Sequence, residues 1–187
     1  MPASPVTPIL LTIGGGMVAA SILLLPWPLA LVGSALGLTM TAIAVVDAHH
    51  FLIPDRLSLP AIPAGLLATG SLIDPGTPSL MTPTALLGAA AGAASLWALR
   101  AVYLRWRGIE GLGLGDVKLA AAGGAWVGID LLAALLLVSA VSALAIALVL
   151  AVVRRAPLET RTRMPFGAFM APSIWLTWIL SVTGHIG

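Results

Sequence analysis

The chain has 187 residues, of which 59 % are hydrophobic and only 9 % charged, with a net charge of +2 and no cysteine. Ordinary soluble domains carry roughly 25 % charged residues, so this surface needs lipid around it and a polytopic membrane protein follows. The small net charge argues against a nucleic-acid partner, and the missing cysteines exclude disulfides, thiol catalysis and thiolate-held zinc.

Seven spans are expected, over residues 8–25, 29–46, 57–73, 82–104, 116–129, 131–153 and 165–184. Together they make an all-α membrane helix bundle of six or seven transmembrane helices, read as one domain over 1–187. Met1 to Pro8 lacks the basic residues of a signal peptide, so the first run is expected to stay as a helix. Pro26-Trp27-Pro28 separates the first two spans, because proline removes a helix hydrogen bond and clashes with the turn before it. Asp74-Pro75-Gly76-Thr77-Pro78 is a turn signal after the third. The run 116–153 is too long for one span of about 20 residues and is divided at Gly128-Ile129-Asp130.

Charge supports that division. Loops 47–56, 105–118 and 154–164 then share one side of the membrane, and every Lys and Arg lies in them or in the adjoining helix ends. The other side holds Asp74 and Asp130. The positive-inside rule makes the basic side cytoplasmic, with the N-terminus inside. Small-residue runs such as Gly88–Gly92 and Ala120–Gly124 suit close helix packing in lipid. Trp27, Trp106 and Trp126 fall near span ends and read as interfacial anchors; Trp97, Trp175 and Trp178 fit either role.

Two acidic clusters fall on the basic side: Asp47-Ala48-His49-His50-Phe51-Leu52-Ile53-Pro54-Asp55 and Glu110-Gly111-Leu112-Gly113-Leu114-Gly115-Asp116-Val117-Lys118. An acid near or within a bilayer is costly and marks a functional site by default. Taken singly, Asp116 also suits the capping of the fifth helix, and Asp47 a polar helix end. Taken together, two facing carboxyls resist joint ionisation, so one holds a proton while the other activates water, as an aspartic peptidase requires. Asp55 suits a turn or N-cap. His49 and His50 read as solvent-facing, and no metal or other cofactor is expected, since no His-Glu-x-x-His spacing is present. A Gly-x-Ser-x-Gly elbow is also lacking. Lys118 and Arg56 are explained by topology, and Met164-Pro165-Phe166-Gly167 by helix initiation.

The ordered set Asp47…Ile53-Pro54-Asp55, Glu110–Leu119, Gly124-Ala125-Trp126 and Pro165-Phe166-Gly167 resembles the type IV prepilin peptidases, membrane aspartic peptidases of the Gly-x-Gly-Asp class. The resemblance runs from about residue 40 to 175. It implies that Asp47 and Asp116 are catalytic, and that Asp55, Gly113, Gly115 and Lys118 are accessory motif positions. It further implies a prepilin or pseudopilin substrate with a basic cytoplasmic leader and an apolar helix in the bacterial inner membrane, cleaved after a glycine. Larger members carry a cysteine-bearing insert associated with N-methylation. With no cysteine and no room before Asp47, a short form without that activity is expected. Ala168 follows Pro165-Phe166-Gly167, where many members have proline.

Two alternatives fit the sequence less well. A presenilin-like or signal-peptide-peptidase-like enzyme shares Gly-x-Gly-Asp, but Ile53-Pro54-Asp55 and Asp116-Val117-Lys118 favour the prepilin type. A transporter or assembly subunit would need polar groups through the bilayer's depth, and these spans are almost devoid of them.

Overall fold

Proline and glycine cut the apolar runs into helices close to the expected places. The computed structural model describes residues 6–70, 82–108, 111–154 and 164–184. Its helices are α1 (Val6–Leu24), α2 (Leu29–His50), α3 (Asp55–Ala68), α4 (Pro83–Arg107), α5 (Leu114–Arg154) and α6 (Phe166–Val182). No strand occurs among the described residues. Thr7–Leu24, Leu29–His50, Pro83–Arg107 and Leu114–Val153 are long and apolar enough to cross a membrane, and α6 is apolar but shorter. Leu23, Leu137, Val152 and Val153 are all largely exposed on the outside of the bundle, as lipid-facing side chains must be. The protein is an integral membrane helix bundle.

Helix α5 is two helices. Gly128 has φ 73° and ψ 175°, a region essentially only glycine enters. A Cβ added to Gly123 would lie 2.6 Å from Leu135 Cδ2. In a straight helix those two positions would stand about 18 Å apart, so segments 114–127 and 129–154 fold back on each other as a hairpin. The expected division of 116–153 is therefore present, with Gly128 as its pivot.

Several boundaries and one side chain differ from expectation. Helix α2 runs on through Asp47 to His50 and ends where Phe51 turns left-handed (φ 52°), the Phe51 amide bonding to Asp47 O at 2.9 Å. Asp47, His49 and His50 thus belong to the last helical turn, not to a loop. Helix α3 begins at Asp55 behind Pro54, and α5 at Leu114, each two residues early. Trp126 is buried rather than interfacial, its indole N–H donating to Ala61 O at 2.9 Å and its ring set edge-on to Trp178. Trp27 and Trp106 are exposed, as lipid-interface residues should be, and Trp175 and Trp178 are core. The turn at 74–78, Glu110 and Arg155, Arg161 and Arg163 lie outside the described residues.

Packing is closest between α4 and α5. A Cβ on Gly88 would run into the Gly124 carbonyl, one on Gly124 into the Gly88 carbonyl, and one on Gly92 into the Ala120 carbonyl. Backbones approach this closely in lipid only over small residues. Helix α6 packs on both α2 and α5, α1 on α2, and α3 mainly on α5. Met40, Ile43, Leu119, Met170, Ile174 and Trp178 fill the space between them. Thr7 Oγ1 lies 2.8 Å from His49 Nε2, so α1 starts beside the end of α2. The starts of α3, α5 and α6 join the end of α2 there, which is the end that carries the acidic clusters.

Candidate active site

Asp47 sits in the last turn of α2 and is only 5 % exposed. The backbone N–H of Ala168, at the start of α6, donates to its Oδ2 at 2.8 Å. A helix start has free amides that need acceptors, and here an acid from another helix supplies one. Gly167 makes the approach possible, since a Cβ there would lie 2.9 Å from Asp47 Oδ2.

Asp116 is the third residue of α5, and its Oδ2 accepts from the Gly113 N–H at 3.0 Å. This is the reach-back half of a capping box. The side chain therefore does cap its helix while also lining a cavity. That cavity measures about 260 Å³ and is bounded by Asp47, Ile53, Asp55, Gly113, Gly115 and Asp116 among others. At about 30 Å³ per water it has room for several waters or a short piece of extended peptide. Ile53, buried in the connection from α2 to α3, fills the space between the starts of α5 and α6: a Cβ on Gly115 or on Gly167 would press on it.

The structure brings Asp47, Asp55, Gly113, Gly115 and Asp116 to one cavity, and Lys118 to its rim. Lys118 Nζ donates to Asp55 Oδ1 at 2.7 Å, tying the start of α3 to the first turn of α5. Asp55 is thus an ion-pair partner, its carboxyl making that bond rather than a side-chain cap. The histidines lie apart from this cluster: both are exposed and His49 pairs with Thr7. Among the described residues no three His, Cys, Asp or Glu side chains gather as a metal site would need. Sequence reasoning passed over the Ala168 amide and the role of Gly167. The available signal was Pro165 opening a helix, since the residues just after such a start have unpaired amides.

Fold and site together define an integral membrane helix bundle in which two aspartates from distant parts of the chain line one cavity where helix ends meet. Comparison with known proteins makes this specific. Residues 34–148 match the type IV leader peptidase family model, a stretch that includes Asp47, Asp55, Asp116 and Lys118. The chain is 35 % identical over 164 residues to a prepilin leader peptidase/N-methyltransferase of Burkholderia pseudomallei (strain 1026b), covering 87 % of this chain and 51 % of that protein. With the protein of the same name from Neisseria gonorrhoeae it shares 38 % identity over 144 residues, 75 % of this chain and 46 % of that one. The Aeromonas salmonicida (strain A449) protein of that name is 34 % identical over 184 residues, 96 % of this chain and 56 % of its own length. The chain belongs to the type IV leader peptidase family. It spans about half the length of these relatives. No solved structure matches it significantly.

Proposed function

We propose that this protein is a membrane aspartic endopeptidase that removes the short leader of type IV prepilins or pseudopilins, with Asp47 and Asp116 as its catalytic pair. The cut falls after a glycine, at the cytoplasmic face of the bacterial inner membrane, and residues 1–187 act as one peptidase domain. The observation that carries this reading is that both carboxyls line a single cavity at the meeting of helix ends. Membership of the leader peptidase family supports it, as do the names of the relatives. The cytoplasmic placement is supported by Arg56, Arg105, Arg107 and Lys118, which belong to helix ends or first turns on the acidic-cluster side.

The chemistry follows from two neighbouring acids sharing one proton. The ionised aspartate takes a proton from water as the water oxygen bonds to the scissile carbonyl carbon. The protonated aspartate gives its proton to the carbonyl oxygen, forming a neutral tetrahedral diol. Collapse returns the hydroxyl proton to one carboxylate while the departing nitrogen takes a proton from the other, and the C–N bond breaks. The products are a leader ending in a carboxylate and a chain with a new amino terminus. The Ala168 and Gly113 amides each hold one carboxyl oxygen, which orients the pair and leaves an oxygen on each for water and substrate.

The test is co-expression with a prepilin, following leader loss by mobility and mass. Cleavage by wild type should vanish with Asp47→Asn and with Asp116→Asn at unchanged membrane levels, and persist when His49 and His50 are both alanine. Full-rate cleavage by either Asn variant removes the paired-acid mechanism. A transporter or assembly subunit would leave leader removal untouched by all of them.

A further inference from the structure

A second and larger space, about 610 Å³, lies beside the first. It is a lateral groove between α2 and α3, walled by Val32, Ala35 and Thr39 on one side and Pro60, Ala64 and Leu67 on the other, with Trp126 against it. The groove exists because α3 packs along α5 and touches α2 only sparingly. The Trp126 bond to Ala61 O fixes α3 in that position. Apart from Arg56 and Thr39 its walls are apolar, and the α2 wall belongs to a helix long and apolar enough to cross a membrane. The groove begins one residue along α3 from the acid-lined cavity: Asp55 borders that cavity and the next residue, Arg56, borders the groove. From Arg56 to Ala68, both of which line it, α3 runs about 18 Å, the length of roughly 12 helical residues.

We infer that this groove seats the apolar transmembrane helix of the substrate, on the membrane side of the scissile bond; the inference rests on the peptidase reading above. A peptide whose scissile bond lies between Asp47 and Asp116 has to leave the cavity in two directions. The direction that enters the bilayer needs apolar walls and helical backbone, because unpaired peptide groups are not tolerated in lipid. The groove lies between α2 and α3, the same two helices whose connection lines the cavity, and starts one residue along α3 from it. Its alanine, proline and threonine walls allow the close backbone approach by which helices associate in lipid. A lone acyl chain would also fit an apolar groove, but it has no need of an acid-lined cavity one residue away along α3.

The experiment uses the whole protein and a tagged prepilin that the wild type cleaves. p-Benzoylphenylalanine replaces Leu67, in the groove, or Val152, exposed elsewhere on the bundle, both in an Asp116→Asn background so that uncut substrate stays bound. Irradiation should join Leu67-position protein to the prepilin and leave the Val152-position protein unjoined. Separately, Ala64→Trp should raise KM for the prepilin about tenfold, the effect of losing about 1.4 kcal/mol of docking, with kcat near the wild-type value. Equal adducts at both positions, adducts to lipid alone, or a wild-type KM for Ala64→Trp would overturn the docking site while leaving the peptidase standing. A wild type that cleaves no prepilin would overturn the peptidase reading and the docking site with it.

Discussion

Replacing Gly167 by alanine loads the site at its tightest point. The new Cβ would sit 2.6 Å from Ile53 Cδ1 and 2.9 Å from Asp47 Oδ2, so relief needs shifts of roughly 0.5–1 Å to reach van der Waals separation. Ile53 has little room to yield. It is buried, and the start of α5 packs so near it that even a Cβ on Gly115 would fall 2.9 Å from Ile53 Cβ. The Asp47 carboxyl therefore moves and strains its 2.8 Å bond from the Ala168 amide. Overpacking of this kind costs about 1–3 kcal/mol, and misplacing a reacting group by about 1 Å costs on the order of 100-fold in rate. Gly167→Ala should thus reach the membrane in reduced but measurable amount and cleave prepilin about 100-fold more slowly per molecule. Initial rates normalised to protein level measure this. Gly15→Ala is the calibration, since nothing lies within 4 Å of a Cβ there. Adding Ile53→Val to Gly167→Ala removes the Cδ1 clash and should recover part of the rate. A Gly167→Ala rate within about twofold of wild type, far short of that loss, would refute the view that α6 positions Asp47.

Gly128→Ala should lower the melting temperature in detergent, because φ 73°, ψ 175° costs a non-glycine residue about 1–3 kcal/mol. Gly88→Ala should destabilise the bundle more than Leu87→Ala, since one drives a Cβ into the Gly124 carbonyl and the other trims an exposed side chain; comparative melting decides. Asp55→Asn should cost under about 1 kcal/mol of stability, the range for exposed ion pairs, and the double exchange Asp55→Lys with Lys118→Asp should recover more cleavage than either single exchange. Trp126→Phe should lose about 1 kcal/mol, the net worth of the indole N–H bond to Ala61 O, read as a lower denaturation midpoint.

Much of this arrangement is legible in the chain because lipid permits few solutions. Long apolar runs require helices, Pro26 and Pro28 mark a break, and the spread of Arg and Lys requires a reversal near Gly128. The end of α2 was less legible. Asp47, His49 and His50 look like loop residues by polarity, yet the helix continues until Phe51 adopts a left-handed turn, and that turn has no glycine to announce it. Trp126 was misplaced for a related reason: near a span end, a buried tryptophan and an anchoring one have the same local sequence. The partner of its N–H, Ala61, lies on α3, and such long-range pairing leaves no periodic mark. The meeting of Asp47 with the start of α6 is of the same kind, since backbone donors have no residue signature.

That meeting also alters how capping and catalysis should be weighed against each other. Asp47 stands in the last turn of its own helix, where the dipole's negative end disfavours an acid. The start of α6, with the opposite partial charge and a free Ala168 amide, faces it there and offsets that cost. Asp116 needs no such borrowed partner, because it lies in the first turn of α5 and closes back on Gly113. Each acid therefore satisfies a helix start through one oxygen. At a membrane rim, where water is scarce and unmet amides are expensive, the capping bond holds a carboxyl in one orientation without consuming its chemistry. In the proposed mechanism capping and catalysis are then two uses of the same side chain, and the capping bond is what would hold each carboxyl ready for reaction.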